Sequence, residues 1–207
     1  MTNGKKINDN GHKYVDLDLP SGTLWATMNV GASKPSDGGL YFQWGDTKGY
    51  TKEQVGTDDG KKKFSSGWSD YKWGKYPDFT KYTTTDETLD LEDDAAHTNM
   101  GGDWHMPTPT QIQELLDNAT NTCTTQDGVN GRLFTSKKNP SKSIFIPVAG
   151  YAWNGSVYYG GDYGLVWSSM LSTNSADSGQ YLYFDSGDAE LYFSRCYFGF
   201  SVRGVIG

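Results

Sequence analysis

The last 57 residues, 151–207, carry 14 of the chain's 30 aromatic residues and none of its 15 lysines. Tyr and Phe at this density, interrupted every few positions by Gly, Asn, Asp or Ser, suit short half-buried strands and turns. Strand propensity accounts for the aromatics. It does not account for the missing lysine, which edge strands commonly use to discourage unwanted pairing. The tail therefore carries a compositional signal beyond its secondary structure.

The rest of the chain supplies the context. Residues 1–11 are polar and rich in Asn and Gly, and read as a flexible leader. Residues 12–19 and 23–30 read as strands separated by Pro20-Ser21-Gly22, and a short aromatic run follows at 40–44. Residues 46–86 are long and weakly periodic, which predicts an insertion on the surface. A short helix is expected over 89–97, its acids near the start where the helix dipole favours them. A better-defined helix begins at Thr108, with Pro109 in the first position and Gln111 placed for a capping box; Ile112, Leu115 and Leu116 share one face. Strand-like runs then recur at 123–125, 132–135, 144–148, 165–168, 181–184, 190–193 and 200–206, with a hairpin turn at Ser186-Gly187-Asp188. Two helices between groups of short strands predict an α+β fold.

Charge and cysteine usage exclude several classes. A net charge of −7 argues against a nucleic-acid surface. No run approaches the ~20 apolar residues needed to span a bilayer, and no apolar leader follows Met1. Cys123 and Cys196 allow at most one bridge.

Several blocks resemble a large bacterial and phage family, the major paralogous domain group. They are Gly11-His12-Lys13-Tyr14-Val15-Asp16-Leu17 continuing through Leu19-Pro20-Ser21-Gly22-Thr23-Leu24-Trp25-Ala26-Thr27-Met28-Asn29-Val30-Gly31-Ala32, then Tyr41-Phe42-Gln43-Trp44-Gly45-Asp46, Glu92-Asp93-Asp94-Ala95-Ala96-His97, Trp104-His105-Met106-Pro107-Thr108, Ala149-Gly150-Tyr151, Trp167-Ser168-Ser169 and Phe200-Ser201-Val202-Arg203. They occur in order over residues 11–204. The chain departs from the group's frequent Val-Arg-Pro ending at Gly204 and from its common leader peptide.

The group is similar to variable proteins of diversity-generating retroelements. The resemblance implies a single C-type-lectin-like domain over 12–207, with two short helices, several short antiparallel strands and a long surface insertion. It implies that residues 14–19 lie near 201–206. In such systems a reverse transcriptase randomises template adenines, and AAC codons then give Tyr, Ser, Phe, Asp and others but never Lys, which matches the tail. Residues 151–200 are thus expected to hold a variable ligand-binding region. Its expected contact residues are Tyr158, Tyr159, Tyr163, Leu165, Tyr181, Tyr183, Asp185, Tyr192, Phe193, Ser194, Tyr197, Phe198 and Phe200, with Trp167, Ser168, Ser169, Gly187, Gly199, Val202 and Arg203 as invariant framework. Tyr offers broad amphipathic contact at low entropic cost. The expected partner is a protein or glycan on a cell surface, and the expected setting a virion or bacterial surface. A fixed structural or adhesion module, or a carbohydrate-binding module with aromatic platforms, remains the alternative. In a purely structural reading the alternating tyrosines only solvate one side of a sheet, while Leu182, Phe184 and Leu191 fill the core.

Two sharper chemistries are weighed against this. Asp93 and His97 stand four apart with Glu92 and Asp94 beside them, but without the alternating oxygen spacing of a calcium loop, so helix-start acids and a packed His are expected, and no metal or other cofactor. The formylglycine-generating oxidase shares the implied fold and needs two closely spaced cysteines, whereas Cys123 and Cys196 are 73 residues apart. No Ser-His-Asp or Cys-His arrangement follows from the spacing of His12, His97 and His105, and no catalysis is expected.

Overall fold

Thr108 closes the predicted capping box. Its Oγ1 accepts from the Gln111 N–H at 3.2 Å and the Gln111 side chain accepts from the Thr108 N–H at 2.9 Å, with Pro109 opening helix α2 (Pro109–Asn118). Ile112 and Leu115 point fully inward. The 89–97 segment is more divided than its pattern suggests. A 3-10 turn over Leu91–Asp93 precedes helix α1 (Ala95–Met100), because Asp94 is extended and serves as N-cap, accepting from the His97 N–H at 2.9 Å.

This computed structural model describes residues 6–7, 10–55 and 64–207. Most of the expected leader and positions 56–63 of the expected insertion lie outside the described residues. The strands are short and antiparallel and form small sheets. The first contains β1 (Lys6–Ile7), β2 (Lys13–Asp16), β3 (Leu24–Asn29) and, far along the chain, β14 (Arg203–Ile206), in the order β1-β2-β3-β14. Hairpin β4 (Gly74–Lys75) and β5 (Asp78–Phe79) belongs to the 46–86 stretch. A meander of β6 (Ala119–Gln126), β7 (Val129–Ser136) and β8 (Ser143–Pro147) follows α2 directly. Hairpin β9 (Tyr151–Trp153) and β10 (Ser156–Tyr158) leads into a second meander, β11 (Gly164–Leu171), β12 (Ser178–Phe184) and β13 (Ala189–Arg195). The molecule is a mostly-sheet α+β protein, and among its described residues no helix is long and apolar enough to cross a membrane.

The chain does close on itself, but one strand later than expected. β14 pairs with β3, Arg203 opposite Asn29 and Val205 opposite Trp25, so residues 14–19 are separated from 201–206 by β3. The register slips at Gly204. A Cβ there would lie 2.6 Å from Met100 Sδ and 3.0 Å from the Trp104 ring, so packing favours glycine at this position.

Among the described residues two large apolar clusters fill the interior, beside a smaller one of Tyr41, Tyr50, Val55, Phe64 and Ala152. One gathers Trp44, Trp104, Trp167, Phe42 and Phe200. The other joins α2 to the meanders through Ile112, Leu115, Phe134, Ile144, Ile146, Leu182 and Phe184, with Trp25 and Val205 from the first sheet. Two of the buried indoles are also bonded, Trp44 Nε1 donating to Ser168 O at 3.0 Å and Trp167 Nε1 to Phe42 O at 2.8 Å, whereas Trp25 Nε1 and Trp104 Nε1 have no partner among the described residues. The described part of 46–86 does more than cover this core, since Tyr71 and Tyr82 are buried in the first cluster. Aromatic residues without periodicity give no sign of which side faces inward.

Arg203 ties the layers together. It is fully buried, and its guanidinium donates to Asn29 Oδ1 (2.8 Å), Ala26 O (2.9 Å) and Phe145 O (3.1 Å). Burial lowers its pKa to about 9, still above neutral, so the charge is carried by carbonyl dipoles without a carboxylate. Arg203→Met would leave three buried acceptors unpaired and should cost about 3 kcal/mol or more. Arg203→Lys should not restore stability, because one ammonium does not reproduce the planar fork. Urea midpoints check both; a parent-like Lys variant would contradict the clamp.

Candidate functional site

The Asn154-Gly155 pair sets the tip of the β9–β10 hairpin. Both residues have positive φ, 47° and 71°, as a two-residue hairpin turn requires. The register puts Tyr151 directly opposite Tyr158, and their rings stack at 5.8 Å. Ala152 and Gly199 exchange backbone hydrogen bonds at 2.8 and 2.9 Å, which docks the hairpin on the segment leading to Phe200. Gly150 permits the crossing: its φ is +69°, and a Cβ would sit 2.1 Å from Tyr158 O.

From this hairpin a continuous band of rings extends both ways. On one side Tyr151 meets Tyr159 (6.0 Å), Tyr159 meets Tyr163 (4.8 Å) and Tyr163 meets Tyr183 (5.7 Å). On the other, Tyr151 and Trp153 meet Phe198, Phe198 meets Tyr197 (4.9 Å), and Tyr197 meets Trp68 (4.8 Å). Tyr159 is 51% exposed, and its φ of 51° is unusual for a bulky residue. A separate exposed pair stands on β13, where Tyr192 (51% exposed) and Phe193 (45%) stack at 5.5 Å and 11°.

The expected contact residues fall into three groups. Tyr159, Tyr192 and Phe193 are exposed. Tyr158, Tyr163, Tyr183, Asp185, Ser194, Tyr197 and Phe198 are partly buried. Leu165, Tyr181 and Phe200 are corrected to core: they are 5%, 6% and 2% exposed. The cause is that β11 and β12 are covered on both faces. Tyr181 turns its ring toward Phe200 (4.8 Å) and Trp167 (5.7 Å), while its neighbour Leu182 enters the other cluster. Phe200 stacks on Trp167 at 4.0 Å. Burial pushes the Tyr181 hydroxyl pKa upward. In the purely structural reading, Leu182 and Phe184 are indeed buried, whereas Leu191 is only partly so.

Asp185 belongs to the turn. Its Oδ1 accepts from the N–H groups of Gly187 (2.7 Å) and Asp188 (3.0 Å), and its Oδ2 from the Tyr183 hydroxyl (2.9 Å). These bonds hold its carboxyl below the usual range, and burial with the adjoining carboxylate raises the Tyr183 hydroxyl. Tyr151, Trp153 and Trp68 complete the band but were not among the expected contacts. Asn-Gly between two aromatic runs was the available signal for the first two; nothing in the sequence points to Trp68.

The band carries little positive charge. Of the tail's two arginines, Arg203 is interior and Arg195 pairs with the buried Asp177. Both cysteines are free, Cys123 exposed and Cys196 buried, and burial pushes the Cys196 thiol up to about 12.

The acidic residues before α1 form a lysine site. Carboxylate oxygens of Asp90, Glu92 and Asp93 lie within 4.8 Å of one another. Lys81 Nζ sits among them at 2.6, 3.4 and 2.6 Å, and Lys72 Nζ reaches Asp93 at 2.7 Å. Asp94 caps α1 and accepts from the Met106 N–H, while His97 Nδ1 lies 3.0 Å from Trp104 O. Asp93 and His97 therefore have separate structural partners. No family model, curated protein or solved structure matches the chain.

Burial alone would raise the Asp93 pKa, but Lys72, Lys81 and Tyr82 outweigh it and hold the carboxyl below its usual range. A depressed folded value adds stability above the unfolded carboxylate pKa, and that stability is lost as pH falls through the folded one. Asp93→Asn should therefore cost about 2 kcal/mol near neutral pH. Urea midpoints of parent and variant should converge in acid; a constant gap would contradict the ion-pair account.

Proposed function

We propose that this chain is a recognition protein whose aromatic C-terminal face binds a protein or glycan on a cell surface. The observation that carries the reading is the exposure of Tyr159, Tyr192 and Phe193 on a framework whose own core is already complete. Exposed apolar rings of this kind, in a lysine-free segment, mark contact surfaces. Tyr158, Tyr163, Tyr183, Tyr197 and Phe198 extend the face from partly buried positions.

The fold proposed is C-type-lectin-like, a single domain after a short leader. The pairing of β3 with β14, which brings the chain's ends into one sheet, supports it. On this reading the chain is a variable protein of a diversity-generating retroelement, set on a virion or bacterial surface. It makes or breaks no bond. The contact positions fall on the hairpin, the 159–163 loop, β13 and the 197–198 segment, while Trp167, Val202 and Arg203 hold the frame from inside.

The test replaces Tyr159, Tyr192 and Phe193 together by Ser. The triple variant should keep its unfolding free energy, from urea denaturation, within about 0.5 kcal/mol of the parent per site and lose at least tenfold in binding to intact target cells. Tyr181→Ser, by contrast, should cost about 3 kcal/mol or more in stability. A triple variant that unfolds, or that binds cells as the parent does, overturns the reading. Defined sugar binding on a glycan array would assign the partner to glycans.

A further inference from the structure

A cleft of about 670 Å³ opens beside the 159–163 loop. Its walls include Tyr159, Tyr163, Asp162, Asp185, Asn130 and Cys123, and no lysine or arginine lines it. Two features give it a chemistry. The Tyr159 and Tyr163 rings are 4.8 Å apart and the second leads to Tyr183, so one wall is a set of π faces. Asp162 is exposed, and its carboxylate makes no hydrogen bond or ion pair among the described residues. Asp185 adds a second negative charge, fixed in place by the turn. The cation bonded to the Asp185 turn is the buried Arg132. Its guanidinium is engaged with Asp185 O (3.0 Å) and with the Asn121 side chain.

The same molecule shows what such a combination holds. Lys81 Nζ lies 5.0 Å from the Tyr82 ring centroid and 5.3 Å from Trp73, with the Asp90 and Asp93 carboxylates at 2.6 Å. There the cation comes from the chain itself. In the cleft, rings and carboxylates line one cavity and no lysine does.

We infer that this cleft is a subsite for a Lys or Arg side chain of the protein partner, held against the Tyr159–Tyr163 rings and paired with Asp162. The inference rests on the recognition reading above and names the partner's chemistry at one point of the face. A cation over an aromatic face gains most where it is also partly desolvated, as a cleft provides. The carboxylate adds charge pairing that salt weakens.

The test titrates the full chain with capped peptides Ac-Gly-Gly-Xaa-Gly-Gly-NH2, in which Xaa is Arg, Lys, Gln or Glu, and follows tyrosine ring carbons by NMR. The Arg and Lys peptides should shift the Tyr159 and Tyr163 rings, less so at high salt. Asp162→Asn, at an exposed position, should weaken the Arg peptide roughly fivefold, and Tyr159→Leu should do the same by removing a π face. An equal response to the Gln peptide, or no effect of Asp162→Asn, overturns the subsite. Spermidine shifting these rings where both basic peptides fail overturns the assignment to a protein side chain. If cells still bind through Tyr192 and Phe193 while the Arg peptide is silent, the subsite alone falls. If neither binds, the recognition reading falls with it.

Discussion

A buried guanidinium sits where the chain's two ends meet. Arg203 lies on the last strand, opposite Asn29, and bonds to β3 and to the β8 carbonyl of Phe145. Those bonds join the terminal sheet to the 119–147 meander without a carboxylate. They are directional and leave little tolerance in where Phe200, Ser201 and Val202 lie. Phe200 in turn exchanges backbone bonds with Phe42 and stacks on Trp167, and Val30 N–H donates to Val202 O at 2.8 Å. The tail thus enters the interior at alternate points and is anchored there.

That anchoring lets neighbouring residues divide between support and display. Phe200 is interior while Phe198, two residues earlier, joins the outer ring band through Tyr151 and Tyr197. Tyr181 packs inside, and its cross-strand neighbour Tyr192 stands outside. Aromatic surface attached to rigid strands loses little entropy on binding, which favours broad contact over a deep pocket. The cost falls locally at Tyr159, whose left-handed backbone is sparsely populated for its type.

Much of the frame was legible in the residues. Thr108, Pro109 and Gln111 announce α2, because capping is local chemistry that tertiary packing does not overrule. The meander strands were legible from their β-branched and aromatic runs, most with boundaries a few residues too narrow and 144–148 displaced by one. The side of the tail was not. Alternation marks a strand with one wet face, but β11 and β12 are covered on both, so Leu165 and Tyr181 read as display residues while serving as core. Arg203 was legible as framework, yet its partners are two carbonyls and an amide, which carry no sequence signature. Glu92, Asp93, Asp94 and His97 offered a ligand set to weigh because nothing local reveals that Lys72 and Lys81 fold back onto Asp93.

The division of the tail into support and display is the central claim, and sequencing its coding region across a natural population tests it most directly. Variation should concentrate at Tyr158, Tyr159, Tyr163, Tyr192, Phe193, Tyr197 and Phe198. Trp167, Tyr181, Phe200 and Arg203 should stay fixed, with a near-duplicate template and a reverse transcriptase close by. Variation spread evenly over exposed and buried positions, or a tail identical in every individual with no template at the locus, would contradict it.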